Sequence, residues 1–158
     1  MKKTVLSLLV DNTSGVLSRV SGMFSRRGYN IDSLSVGETE NPKYSRMTVA
    51  VTGDDRVISQ IKNQLNKLED VVEVIELKDG ISVHRELVLV KVKCDAAERQ
   101  QIIAIVDVFR AKIVDVSPES VMIELTGNTN KIEAFISLLS DFTIAEFVRT
   151  GLTGLIRG

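Results

Sequence analysis

Apolar and polar positions alternate along this chain with two periods, and the change from one to the other follows an order that occurs twice. Thr4 to Val10 is almost continuously apolar and too short for a helix, which predicts a central strand buried on both faces. A polar turn from Asp11 to Gly15 leads into Val16, Leu17, Val20, Met23 and Phe24, the apolar stripe of a helix from about Gly15 to Arg27. Gly28 supplies the left-handed stop that such a helix takes. Ile31 to Glu38 predicts a second strand, and Glu40-Asn41-Pro42-Lys43 a turn. Arg46 to Thr52 sets Met47, Val49 and Val51 against Thr48 and Ala50, a third strand. Asp54 or Asp55 offers an N-cap to a helix whose inward face is Val57, Ile58, Ile61, Leu65 and Leu68. Val71 to Leu77 is a fourth strand.

Lys78-Asp79-Gly80 punctuates, and the series starts again. Glu86 to Lys93 is a strand with Val88, Val90 and Val92 inward. Asp95-Ala96-Ala97-Glu98 has capping-box spacing before a helix carrying Ile102, Ile105, Val106 and Phe109. Ile113 to Val116 and Val121 to Leu125 are strands joined at Pro118, and Asn128 or Asn130 caps a last helix before a strand from Ile144 to Val148. The tail from Thr150 to Gly158 is interrupted by glycines, although Leu152, Leu155 and Ile156 argue against a purely disordered end. Strand-helix-strand-strand-helix-strand, twice, predicts an α+β chain of two tandem ferredoxin-like βαββαβ domains. Each would be a four-stranded antiparallel sheet with two helices on one face, at residues 1–79 and 80–158. Halves this small, each with an uncovered sheet face, favour association with other chains.

Composition narrows the partners. Hydrophobic residues make up 44% and charged residues 26%, as in a soluble globular protein, and a formal net charge of −1 offers no attraction for a polyanion. RNA-binding modules of this fold stack bases on aromatics, whereas this chain has 4% aromatics and Met47, Thr48, Val49 and Ala50 on its third strand. One cysteine, Cys94, leaves no internal disulfide and suits a reducing cytoplasm. His84, the lone histidine, stands in the expected interdomain link with no second ligand spaced for a metal. Met1-Lys2-Lys3 and the following apolar run resemble a secretory signal only superficially. Ser7 breaks the run, Asp11-Asn12 ends it, and no small-residue cleavage pattern follows. No run reaches the ~20 apolar residues that cross a bilayer.

The stretch from Asp11 to Asp32 carries the candidate chemistry. Strand, small-residue turn and helix start leave the amides of Val16 and Leu17 without intrahelical partners, an arrangement that favours a carboxylate or phosphate. Gly15 permits close approach of a ligand to the backbone. Asn12 and Asn30 offer amide groups without net charge, and Ile31 an apolar wall. No nucleophile or acid–base pair gathers there, so the stretch reads as a binding site. Asn12 and Gly15 are also ordinary turn residues, and Asn30 an ordinary helix exit. An acylphosphatase would need an arginine beside the turn, and Arg19 sits a full helical turn further on. Arg26 and Arg27 fit a solvated helix end or an interface equally well.

The first half resembles an ACT domain, the amino-acid-sensing form of this fold. Asn12-Thr13-Ser14-Gly15-Val16-Leu17, Phe24, Arg27-Gly28-Tyr29-Asn30-Ile31 and Ser33-Leu34 are similar to the small regulatory subunit of acetohydroxyacid synthase (acetolactate synthase). Ser45-Arg46-Met47-Thr48, Ile61 to Leu68, Arg85-Glu86-Leu87, Leu89-Val90-Lys91, Phe109-Arg110, Ile113-Val114-Asp115-Val116 and the ending from Arg149 to Gly158 extend the likeness over the whole chain. That resemblance implies a non-catalytic chain that activates a catalytic subunit and confers feedback inhibition by valine in branched-chain amino acid biosynthesis. Thiamine diphosphate, Mg2+ and FAD would then belong to the catalytic subunit, with no cofactor on this chain. It further implies a homodimer through the ACT domains, with Asn12, Gly15, Val16 and Leu17 from one chain and Asn30 and Ile31 from its partner holding valine. The alternative is an ACT-type sensor for a different enzyme, which a thermal-shift series over all twenty amino acids would separate.

Overall fold

The computed structural model describes residues 1–158. Its first sheet holds β1 (Lys2–Asp11), β2 (Ile31–Glu38), β3 (Tyr44–Gly53) and β4 (Val71–Glu76), in the order β2-β3-β1-β4. All its pairings are antiparallel. Helices α1 (Val16–Arg26) and α2 (Asp55–Asn66) supply Val16, Val20, Met23, Phe24, Ile58, Ile61 and Leu65 to a core closed by Leu6, Leu8, Val10, Met47, Val49 and Val51. The second sheet repeats the plan with β5 (Ser82–Lys93), β6 (Lys112–Ser117), β7 (Ser120–Gly127) and β8 (Thr143–Arg149) in the order β6-β7-β5-β8. Helices α3 (Ala96–Phe109) and α4 (Thr129–Leu138) cover it, with Phe109 meeting Phe135 edge to face at 5.4 Å. Two tandem ferredoxin-like α+β units are therefore present, each with the strand order that the repeated pattern requires.

Local signals placed most boundaries. Gly28 takes a positive φ of 71°, which ends α1 without a Cβ penalty. Asp54, Asp95 and Asn128 cap α2, α3 and α4, and Asp95 with Glu98 forms the full capping box. β1 is central and buried on both faces, with Leu6 and Leu8 toward the helices and Val5 and Ser7 on the other side. Ser7, the one break in its apolar run, accepts a 2.7 Å hydrogen bond from Arg46 Nη1.

The chain forms two compact units. One comprises Met1–Val83 together with Leu152–Gly158, the other His84–Gly151. The division between them falls at Val83 and His84, and Leu152–Gly158 packs with the first unit. Leu152 is 3% exposed and packs with Val5, Ala50 and Leu77. Beyond it a short strand, β9 (Thr153–Ile156), pairs with β5, and Arg157 N–H donates to Ile81 O at 2.8 Å. Chain order assigns a C-terminal segment to the preceding domain. Leu152 nonetheless packs on the first sheet, far from it in sequence.

Candidate functional site

Helix α1 starts unlike the other three. Asp54, Asp95 and Asn128 are extended (φ −78°, −85° and −76°), and each accepts a hydrogen bond from a first-turn amide. Those bonds measure 2.8, 2.8 and 2.9 Å. The N-cap of α1 is Gly15 at φ +85°, with no side chain closing the helix end and no acidic residue in the first turn. The amide that each of those caps satisfies is that of the third helical residue, Ser18 in α1, and it has no side-chain acceptor here; the Val16 and Leu17 amides, like those of any first turn, have no intrahelical partner and stand at the positive end of the peptide dipoles. Val16 turns its side chain into the core, and Leu17 lies half exposed beside the opening.

Asn12 fixes the turn beneath. Its Nδ2 donates to Pro42 O at 2.9 Å, and its Oδ1 accepts from Ser45 Oγ at 3.0 Å. The amide group thereby ties the β1–α1 turn to the β2–β3 hairpin, leaving one N–H and one lone pair for other partners. Arg19 is the residue that sequence reasoning placed out of reach. Its guanidinium folds back over the turn, so that a Cβ on Gly15 would lie 2.8 Å from Arg19 Nη1. Asp70 grips the same guanidinium through both carboxylate oxygens, and Nη2 also approaches Ser14 O at 3.4 Å. The hydrogen bond from Arg19 holds the Asp70 carboxyl below its ordinary range against the opposing effect of burial, and Asp70 raises Arg19 in return. The N-cap of α1 therefore lies beside an Arg19–Asp70 ion pair.

Asn30 and Ile31 lie elsewhere in the same chain. Ile31 pairs with Val51, which pairs with Thr4, whereas Asp11 pairs with Tyr44 at the other end of β3. Seven residues of strand separate those ends, about 23 Å at ~3.3 Å per residue. Asn30 Nδ2 donates to Asp32 Oδ1 at 3.2 Å, and Thr52 Oγ1 donates to Asp32 Oδ2 at 2.5 Å. Asn12, Gly15, Val16 and Leu17 therefore form one group, and Asn30 and Ile31 another. No free amino acid is long enough to touch both within one chain.

Nothing at either end assembles a nucleophile with a base. No group of three or more His, Cys, Asp or Glu side chains comes together that could hold a metal ion, and no helix is long and apolar enough to cross a membrane. The fold is that of a tandem ACT-type protein. Residues 6–73 match the family model described as "AHAS small subunit-like ACT domain" (AHAS, acetohydroxyacid synthase), and residues 85–158 match "Small subunit of acetolactate synthase". The acetolactate synthase small subunit of Mycobacterium bovis is 49% identical over 157 residues, 99% of this chain and 94% of that one. The acetolactate synthase isozyme 3 small subunit of Salmonella typhimurium is 45% identical over 157 residues, 99% and 96% of the two chains. The crystal structure of an acetolactate synthase small subunit from Thermotoga maritima superposes with a TM-score of 0.92 at 42% identity, covering 100% of this chain and 99% of that one. The chain belongs to the acetolactate synthase small-subunit family.

Proposed function

We propose that this chain is the non-catalytic, cytoplasmic regulatory subunit of acetolactate synthase. In that reading it binds and activates the catalytic subunit and lowers its activity when valine is bound. The thiamine diphosphate, Mg2+ and FAD of the reaction are assigned to the catalytic subunit. Valine sits between two first domains that pair as a homodimer. Its carboxylate meets the amides of Val16 and Leu17 above Gly15, and Asn12 stands beside them. Asn30 and Ile31 of the second chain close the site.

The observation that carries this reading is the open start of α1, the one helix of four without a side-chain cap. The separation of the two residue groups along the sheet supports the second half of the proposal, since only another copy can complete the site. β2 is an edge strand, partly exposed, and its free edge is available for pairing. Because one ligand touches two chains, its binding energy and the dimer geometry are linked, which gives the catalytic subunit a change to sense. Discrimination among branched side chains is modest, as one methylene is worth about 1–3 kcal/mol.

The test is co-purification with the acetolactate synthase catalytic subunit, followed by activity with and without valine. Activation on mixing and a fall in activity on adding valine are expected. Failure of the two chains to associate would remove the regulatory reading, and activation without any amino-acid effect would remove the sensing one.

A further inference from the structure

The second unit exposes apolar side chains where an antiparallel sheet ordinarily presents polar ones. Along β5, Val88, Val90 and Val92 turn into the core, so Leu87, Leu89, Lys91 and Lys93 stand on the opposite face. β7 alternates in the same way, with Val121, Ile123 and Leu125 inward and Met122 and Glu124 on that face. The register completes two rows across it. Lys91 pairs with Met122 on one side and Glu146 on the other, and Leu89 with Glu124 and Val148. A sheet face left to water reads polar. This one keeps Leu89, Met122 and Val148 beside an ion pair, and Val148 is 55% exposed. Together with Lys91, Glu146 and Phe147 they line a depression of about 380 Å3. Small-molecule sites span about 300–1,000 Å3.

The ion pair in the depression is not saturated. Lys91 Nζ donates to Glu146 Oε2 at 3.0 Å, while the second carboxylate oxygen and the other ammonium N–H groups have no protein partner. We propose that this depression binds a free amino acid with an apolar side chain. Its carboxylate accepts from the open N–H groups of Lys91, its ammonium donates to Glu146 Oε1, and its side chain lies on Leu89, Met122 and Val148. The four charges then alternate in sign around a ring, so the Lys91–Glu146 contact need not break. A simple anion would meet Lys91 and be repelled by Glu146, and a simple cation the reverse. An internal segment of a protein carries neither terminal charge and leaves both halves of the pair unanswered. Every residue involved lies between His84 and Gly151, and the inference stands whether or not the first unit binds valine.

Backbone amide NMR of the intact chain, titrated with L-leucine, tests the site. Shifts at Leu89, Lys91, Met122, Glu146 and Val148 are expected, saturating with a dissociation constant on the order of 1–10 mM, as suits charges this exposed. The amides of Val16 and Leu17 report the proposed valine site separately, so failure of either site is read on its own. Isocaproate and isoamylamine, which are leucine without its ammonium and without its carboxylate, should each bind ~10-fold more weakly. Lys91→Glu should weaken leucine ~10-fold as well. Lys91→Glu combined with Glu146→Lys should restore it, because a zwitterion can turn end for end. Leucine that leaves these five amides unmoved, or isocaproate that binds as well as leucine, overturns the proposal. So does an exchanged pair that keeps the wild-type spectrum elsewhere yet fails to recover binding.

Discussion

Helices α1 and α3 hold the same place in their units, each directly after the first strand, yet they begin in opposite ways. Asp95 and Glu98 close the start of α3 reciprocally, with bonds of 2.8 and 3.2 Å. Gly15 leaves the start of α1 open, and Arg19 stands over it. One topology therefore gives one helix end that can receive a carboxylate and another already occupied by its own. The sheet faces differ in a similar way. In the first unit the face away from the helices carries Val5, Ala50 and Thr48, all buried, with Leu152 laid across it. In the second unit the equivalent face carries a depression of about 380 Å3 lined by Leu89, Lys91, Met122, Glu146, Phe147 and Val148. A Lys91–Glu146 ion pair of 3.0 Å spans it. Fold class alone distinguishes neither pair of features. Individual capping residues and one returning segment do.

Gly15→Asp breaks the first contrast most directly, because it gives α1 the capping residue of α3. The new carboxylate would stand at the amides and next to the Arg19 guanidinium, at a φ that costs an L-residue about 1–2 kcal/mol. Valine affinity should fall at least ~100-fold, about 2.8 kcal/mol, with the far-ultraviolet circular dichroism unchanged. A wild-type isotherm in calorimetry would reject the site. Glu86→Ala probes the second unit at the point where the tail departs. It leaves Arg149 with Glu133 alone, and because Arg149 is 30% exposed the loss should be about 2 kcal/mol in urea unfolding, below the value for a fully buried pair.

Asp95→Ala opens α3 as α1 is open. It should cost about 1 kcal/mol of stability and leave valine binding unchanged, because every residue of the proposed site belongs to the first unit. The smallest effect concerns pH. Hydrogen bonding from Lys62, at 2.6 Å, holds the Glu76 carboxyl below its ordinary value of 4.5. A carboxyl depressed by folding stabilises the protein above its unfolded value, and that contribution disappears as pH falls through the lower folded value. Glu76→Gln should therefore cost ~0.5–1 kcal/mol near neutrality. The difference from wild type should vanish progressively below pH 4.5, in urea titrations repeated across that range.

Much of this was legible in the sequence where the determining contacts are local. Asp95-x-x-Glu98 announced its capping box, Gly28 its helix stop, and the unbroken apolar run of β1 a strand buried twice over. The turn at Gly15 was legible as a strand-to-helix junction of small residues, although only the structure shows that Gly15 itself is the N-cap and that Ser14 and Thr13 do not close it. The place of the Arg19 guanidinium was not legible, since spacing along a helix says nothing about a long side chain that Asp70, 51 residues away, draws back across the turn.

Sequence alone thus determined the order of elements, the repeated α+β plan, the family and the position of the open helix start. Periodicity, capping and turn chemistry act over a few residues and survive without knowledge of the rest. The tertiary structure decided that Asn12 would tie two turns together, that Asn30 and Ile31 would stand at the far end of the sheet, and that Leu152 would pack on β1 and β3. Those outcomes depend on which distant apolar surface remains uncovered once the helices have packed. Ser35 and Leu152, 117 positions apart, meet only because that surface exists.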